Sequence, residues 1–316
     1  MINKLQNKGV IFALGTFCCL LWGSAYPGVK IGYSLFDIQT TGAQVLFAGY
    51  RFTLAGILTL SMTSIFYRKW VIPRKDELKG MISLGLVQTT LQYIFFYIGL
   101  ANTTGVKGAI INAASTFFVI LFAHMILKNE KITRAKVFGC VLGMAGVIII
   151  QLNGAKIDSS FSLMGDGFLL LACAASAMGT VLTRIFTRKS DSMVLTAYQL
   201  MIGGAVLILV GLIMGGEITQ ITIQGILLLV YLAVLSAAAF TIWAVLIKHN
   251  PVGIIAIYGF MIPVFGVILS GIFLGEQFLS LRTIISLVCV SVGIWIVNRE
   301  PSRRFVFHLP SHKRQP

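Results

Sequence analysis

Across 316 residues the chain is 57% hydrophobic and only 11% charged, with a mean hydropathy of +0.90, whereas a soluble domain carries roughly 25% charged residues; a water-soluble globular protein is excluded. The net charge of +15 and pI near 9.9 would suit a nucleic-acid partner. The basic residues lie instead at the ends of apolar runs, so the expected partner is a lipid bilayer and no nucleic acid.

A membrane-crossing helix needs about 20 apolar residues. Ten stretches fit, and they predict an all-α integral membrane protein with ten transmembrane helices. The first, Gly9 to Tyr33, follows Lys4 and Lys8 and superficially resembles a signal peptide with small residues at Gly23 and Ala25. Its apolar pattern continues past Ala25, so it is read as a retained helix. The second, Ala43 to Tyr67, carries Arg51. The third, Leu78 to Gly99, holds Gln88, Thr89, Gln92, Tyr93 and Tyr97 at four-residue spacings, which group them on shared helix faces. The fourth, Gly105 to Leu127, holds Asn112, Ser115 and Thr116; the fifth, Ala135 to Gln151, is glycine-rich. The sixth runs from Gly165 to Ile185, and the seventh, Met193 to Met214, contains Tyr198 and Gln199. The eighth, Ile223 to Ile247, contains Thr241 and Trp243; the ninth, Val252 to Leu274, contains Tyr258 and Pro263; the tenth is Leu281 to Val297. The tail from Asn298 to Pro316 is basic and proline-punctuated and is expected to be disordered and cytoplasmic.

With the N-terminus inside, 20 of the 25 Lys and Arg residues fall on inner segments, four (Lys30, Lys107, Lys156 and Arg282) on outer segments, and Arg51 within a helix. This bias orients both termini to the cytoplasm and implies a multi-pass protein of a bacterial-type cytoplasmic membrane.

The second five stretches echo the first five. Tyr50 and Arg51 match Tyr198 and Gln199, Gly56 matches Gly204, Lys30 matches Arg184, Glu130 matches Glu276, and Gly146 matches Gly293 after a one-residue shift. Five is odd, so the halves 9–151 and 165–297 insert with opposite orientation, and the matched charges fall on opposite faces. Inverted repeats of this kind are characteristic of carriers.

Several segments resemble the EamA-type transporters of the drug/metabolite transporter superfamily. They are WGSAYPGVK (Trp22 to Lys30), YRFTLAG (Tyr50 to Gly56), GCVLGMAGV (Gly139 to Val147), AYQLMIGG (Ala197 to Gly204) and IPVFGVILSGIFLGE (Ile262 to Glu276). The resemblance implies ten helices in two inverted five-helix repeats around a central substrate cavity, and movement of small metabolites such as amino acids, often outward. Where the second half has Pro263 the first has Phe117, so a milder bend, or one relying on Gly108 and Asn112, is expected in the fourth helix.

Polar side chains deep in lipid are costly and should face an interior or water. Arg51 lies about eight residues into its stretch, roughly 12 Å below the outer edge at 1.5 Å per residue. Two readings are open: it attracts an anionic group of the substrate from a wet cavity, or it hydrogen-bonds within the fold and holds it together. The candidate binding set is Arg51, Trp22, Gln92, Tyr93, Tyr97, Asn112, Gln199, Trp243 and Tyr258, an aromatic-walled pocket suited to an amphipathic metabolite. Pro27, Pro251 and Pro263 are candidate hinges. The GxxxG pairs Gly139/Gly143, Gly211/Gly215 and Gly271/Gly275 are expected to let helices approach closely. The five cysteines form no CxxC, and no HExxH, Walker or GxSxG motif is present, so neither an enzyme nor a cofactor is indicated. The first stretch lacks the glutamate that the small multidrug exporters carry there, which favours exchange or facilitated transport over carboxylate-based proton antiport. The competing reading is a membrane-embedded interaction or lipid-handling protein without a carrier cycle. Oligomeric state is open between monomer and dimer.

The charge bias is tested by reporter fusions after Pro316. A fluorescent protein is expected to mature there and alkaline phosphatase to stay inactive; the reverse pattern would invert the orientation.

Overall fold

The computed structural model describes residues 5–102, 111–151, 161–274 and 281–299. Among them every regular element is helical: α1 (Lys8–Leu35), α2 (Thr41–Tyr67), α3 (Lys75–Leu84), a π-helical turn (Gly85–Leu91), α4 (Gln92–Ala101), α5 (Ser115–Ile126), α6 (Arg134–Gln151), a second π turn (Leu163–Gly167), α7 (Phe168–Phe186), α8 (Ser192–Ile213), α9 (Ile223–His249), α10 (Val252–Ala256), a 3-10 turn (Ile257–Phe260), α11 (Met261–Leu274) and α12 (Leu281–Arg299). Eight continuous helical spans are long and apolar enough to cross a membrane, and Ile111–Ile126 is a shorter apolar helix. α6 adds 18 helical residues. Gly108, Gly275, Glu276 and the tail from 300 onward lie outside the described residues.

Lipid offers the backbone no hydrogen bonds, so helices must satisfy their own polar groups and seal their ends. Short polar side chains do this at four N-termini. Asn7 accepts from Gly9 and Val10, Thr40 from Ala43, Asp191 from Met193 and Val194, and Thr222 from Gly225. Asp191 also accepts from the Tyr67 hydroxyl at 2.8 Å, tying the end of α2 to the start of α8.

The helices are regular except at defined points. Pro27 sits inside α1, which continues through it. Pro263 has no N–H for the carbonyl of Gly259 four residues back, and the chain tightens into the 3-10 turn just upstream. Pro251 is the N-cap of α10, between two helices and inside neither. The segment opposite Pro263 is interrupted at Ala114, between Asn112 and Phe117, where α5 begins.

Consecutive helices are not the main partners. α2 packs along α8, α6 along α12, α1 lies between α9 and α11, and α7 lies against α5 and α4. Two glycines let α2 and α8 touch through their backbones. A Cβ on Gly56 would stand 2.5 Å from the Met201 nitrogen, and one on Gly204 would stand 2.4 Å from the Thr53 nitrogen. Gly139 works similarly: a Cβ there would meet the Gly293 carbonyl of α12 at 3.0 Å. Gly215 departs from the GxxxG expectation. It follows the end of α8 with φ of +71°, and a Cβ there would have nothing within 4 Å, so it serves the left-handed turn and no helix contact.

Overpacking a tight contact costs about 1–3 kcal/mol. Gly204→Leu is therefore expected to lower the thermal midpoint of the detergent-purified protein by several degrees. An unchanged midpoint would mean the α2–α8 approach is not tight.

Candidate functional site

Three of the longest helices bring one residue each to the middle of their length: Trp22 of α1, Arg51 of α2 and Ser236 of α9. At 1.5 Å per residue these positions are far from either helix end. Arg51 is 4% exposed. Its Nε donates to the Ser236 hydroxyl oxygen at 2.9 Å, and Ser236 in turn donates to the Leu232 carbonyl at 2.8 Å. Among the described residues Ser236 is its one hydrogen-bond partner, and no carboxylate pairs with it. A guanidinium carries five N–H donors, so its terminal amino groups keep capacity for a further acceptor.

The surroundings are aromatic. The Arg51 Cζ stands 5.1 Å from the Phe52 ring centroid. From Phe52 a line of rings runs to Tyr93 on one side (4.4 Å) and to Phe240, Trp22 and Trp243 on the other (6.1, 5.5 and 5.0 Å between successive centroids). Tyr97 packs 6.2 Å from Tyr93. The hydroxyls of Tyr33, Tyr93 and Tyr97 all lie within electrostatic reach of Arg51, and Tyr33 and Tyr97 interact through their side chains. Tyr26 is 37% exposed; it interacts with Asn112, stands within electrostatic reach of Tyr93 and packs beside Gly266. The arrangement combines one cation, several phenolic hydroxyls and flat apolar walls. It can hold an oxyanion at the guanidinium and a hydrophobic moiety against the rings.

Arg51, Trp22, Tyr93, Tyr97 and Trp243 thus share one neighbourhood, and Asn112 reaches its edge through Tyr26. Gln92 is half-buried at the start of α4, and no side-chain hydrogen bond joins it to the described residues. Gln199 and Tyr258 lie elsewhere. Gln199 donates to the Gln88 side-chain carbonyl at 3.1 Å, which also accepts from Thr183 at 3.2 Å, forming a buried network of α8, the first π turn and α7. Tyr258 packs against Phe12 and Gly15, toward the Lys8 end of α1, and its hydroxyl accepts from Asn298 at 2.7 Å. Sequence reasoning missed Tyr26, Tyr33, Ser236 and Phe240. For Ser236 a signal existed: a lone hydroxyl at the centre of an apolar run needs an interior partner.

A second buried polar cluster closes the Lys8 end of the bundle. Lys136 of α6 donates to Glu130 at 3.1 Å and to the Lys131 carbonyl at 2.8 Å, and both side chains of the ion pair are buried. The other Glu130 oxygen accepts from the Val252 backbone N–H, the first residue of α10. A carboxylate at a helix N-terminus meets both an orphan donor and the positive end of the dipole. Nearby, Arg184 of α7 donates to the carbonyls of Ile247 and Lys248 at the end of α9.

Comparison with known proteins gives a consistent result. The EamA-like transporter family model matches residues 7–152 and again 163–299. A chloroplastic WAT1-related protein of Arabidopsis thaliana is 25% identical over 287 residues, covering 88% of this chain and 66% of its own length, so the chain spans about two thirds of that plant relative. An uncharacterized transporter of Archaeoglobus fulgidus is 29% identical over 263 residues (82% of this chain, 87% of the relative). The uncharacterized transporter YvbV of Bacillus subtilis is 28% identical over 296 residues (89% of each). A solved crystal structure matches with a TM-score of 0.75 at 17% identity over 92% of this chain and 96% of that one, a likeness of fold.

Breaking a buried ion pair costs about 3–5 kcal/mol, whereas replacing both partners is often near neutral. Lys136→Met is expected to destabilise by that order in thermal unfolding. Adding Glu130→Gln should restore most of the loss, because an amide oxygen can still accept from Val252.

Proposed function

The chain belongs to the EamA-like transporter family, and from that premise we propose that it is a secondary transporter of a small carboxylate-bearing, amphipathic metabolite, an amino acid being the leading candidate. It works by alternating access, in export or exchange, across the cytoplasmic membrane. Its ten transmembrane helices form two inverted five-helix repeats with both termini cytoplasmic. The observation that carries this reading is Arg51: a buried cation at mid-helix with one neutral hydrogen-bond partner among the described residues, beside tyrosine hydroxyls and aromatic walls. Placing Arg at the centre of a bilayer costs about 2.5–3.5 kcal/mol on insertion scales, and an anionic substrate group would recover part of that each time it binds.

The helix pairings support the repeat. Exchange each transmembrane segment for its counterpart five later. The α2–α8 and α6–α12 contacts then map onto themselves, the α1–α11 contact onto α7–α5, and the α1–α9 contact onto α7–α4. Each helix therefore contacts its partners in the same pattern from both halves. On this reading the Glu130 contact to Val252 joins the connection between the fourth and fifth segments to the ninth segment, and would part for an inward opening. Between their end turns the described spans hold no Asp or Glu, which favours exchange or facilitated transport over a carboxylate-coupled proton antiport.

The test is uptake into proteoliposomes of a metabolite first identified by thermal stabilisation from a panel of amino and other organic acids. A hydrogen bond to a charged group contributes about 1.5–3 kcal/mol. Arg51→Ala is accordingly expected to raise KM by roughly 10- to 150-fold while the variant remains folded. Arg51→Lys, which keeps the charge and loses the planar fork, should recover only part. Unchanged affinity in folded Arg51→Ala would remove Arg51 from the site.

A further inference from the structure

The chain turns back between α5 and α6, yet the two helices scarcely approach one another, because α5 leans on α7 and α10 while α6 lies along α12. Between them is a cleft of about 560 Å³, open on one side. That size falls in the range of about 300–1,000 Å³ usual for small-molecule sites. Ala114, the N-cap of α5, lines it with Phe117 and Leu121 of α5, and Val137, Val141 and Met144 line it from α6. Each trio recurs at three- or four-residue spacing, so each presents one helix face. The walls are apolar. Lys136 contributes only its stem, since its ammonium is turned to Glu130 at 3.1 Å.

The end of the cleft beside Lys136 adjoins the connection that holds Lys128, Lys131 and Arg134. All three are exposed, and none is paired with a carboxylate among the described residues. An apolar slot within the membrane span that ends at three unpaired cations matches one chemistry: a long acyl chain carrying an anionic headgroup. We propose that the α5–α6 cleft is a binding site for an anionic phospholipid, with an acyl chain between the helices and the phosphate on Lys128, Lys131 and Arg134. A second copy of the chain fits less well, because it would bring the same basic rim against this one. A zwitterionic lipid would leave the three cations without a net counter-charge. Basic clusters flanking membrane helices attract anionic lipid at about fivefold in affinity per residue near the surface.

The experiment is native mass spectrometry of the full chain in detergent, titrated separately with phosphatidylglycerol and phosphatidylcholine of equal chain length. Wild type is expected to retain phosphatidylglycerol at least tenfold better. The combined Lys128→Gln, Lys131→Gln and Arg134→Gln variant should lose that preference. Val141→Trp, which fills the cleft from an exposed position, should reduce retention of both lipids. Unchanged thermal unfolding of both variants would confirm that the fold is intact. Equal retention of the two lipids by wild type, a phosphatidylglycerol preference that survives both variants, or dimers in place of lipid adducts would overturn the proposal. Lipid retention is read without transport, so this result and the carrier reading stand or fall separately.

Discussion

The constraint on which the centre of this molecule depends is a cation in the middle of the membrane span with one hydroxyl to hold it. Arg51 is buried, and Ser236 takes only its Nε. A charge so placed must be screened by interior groups, since lipid offers nothing to it. The hydroxyls of Tyr33, Tyr93 and Tyr97 supply dipoles, and Phe52 supplies a ring face. Those residues come from α1, α2 and α4, and Ser236 from α9. The helices are thus positioned around the guanidinium as much as around an apolar core. The backbone contact of α2 with α8 at Gly56 and Gly204 serves the same end, because it fixes the face of α2 opposite its neighbour and so turns Arg51 inward.

Among the described residues, other buried amide and charged groups are engaged locally. Gln88, Thr183 and Gln199 satisfy one another, Glu130 and Lys136 cancel, and Arg184 caps carbonyls at the end of α9. Arg51 differs from these in being a buried cation with spare donors, and the proposed role rests on that contrast. Neutral amides buried in a mutual network hold helices together at little cost. A cation with spare donors and no counter-ion is a poor structural element and a good anion receptor.

The helices were legible in the sequence because a membrane span must be apolar along its whole length. Apart from end residues and the break at Ala114, each of the ten stretches falls on helix wherever it is described. The breaks were half legible. Pro263 announced the irregularity of the ninth stretch, but the π turn at Gly85–Leu91 has no proline and no local signature. The site was harder for a different reason. In a soluble helix the polar face points to water, whereas here polar residues point toward whichever helix happens to offer a partner. Trp22, Arg51, Tyr93 and Tyr97 converge, but Gln199, on the same register as Arg51 in the other half, turns to Gln88. Tyr258 turns to Asn298. Ser236 and Tyr33 were missed because a serine in an alanine run and a tyrosine near a helix end read as packing and as an interfacial anchor. Gly215 showed the same ambiguity on a smaller scale, since a glycine four residues after another can serve packing or a positive φ, and only the backbone decides.

The pairing of Arg51 with Gln199 across the proposed repeat bears on mechanism. If two halves of identical chemistry exchanged conformations, the two access states would differ only in which side is open. Here one half places a charge at the central position and the other places an amide already engaged by Gln88 and Thr183. On the proposed carrier reading the substrate's anionic end would have one anchor, on α2, and the second half would contribute Ser236, Phe240 and Trp243 from α9. Movement of the halves against each other would then alter the Arg51–Ser236 contact itself, because its two ends belong to different repeats. On the proposed reading, ligand binding and access meet at this contact: a substrate oxyanion on the spare donors of Arg51 would sit beside the hydrogen bond that ties α2 to α9.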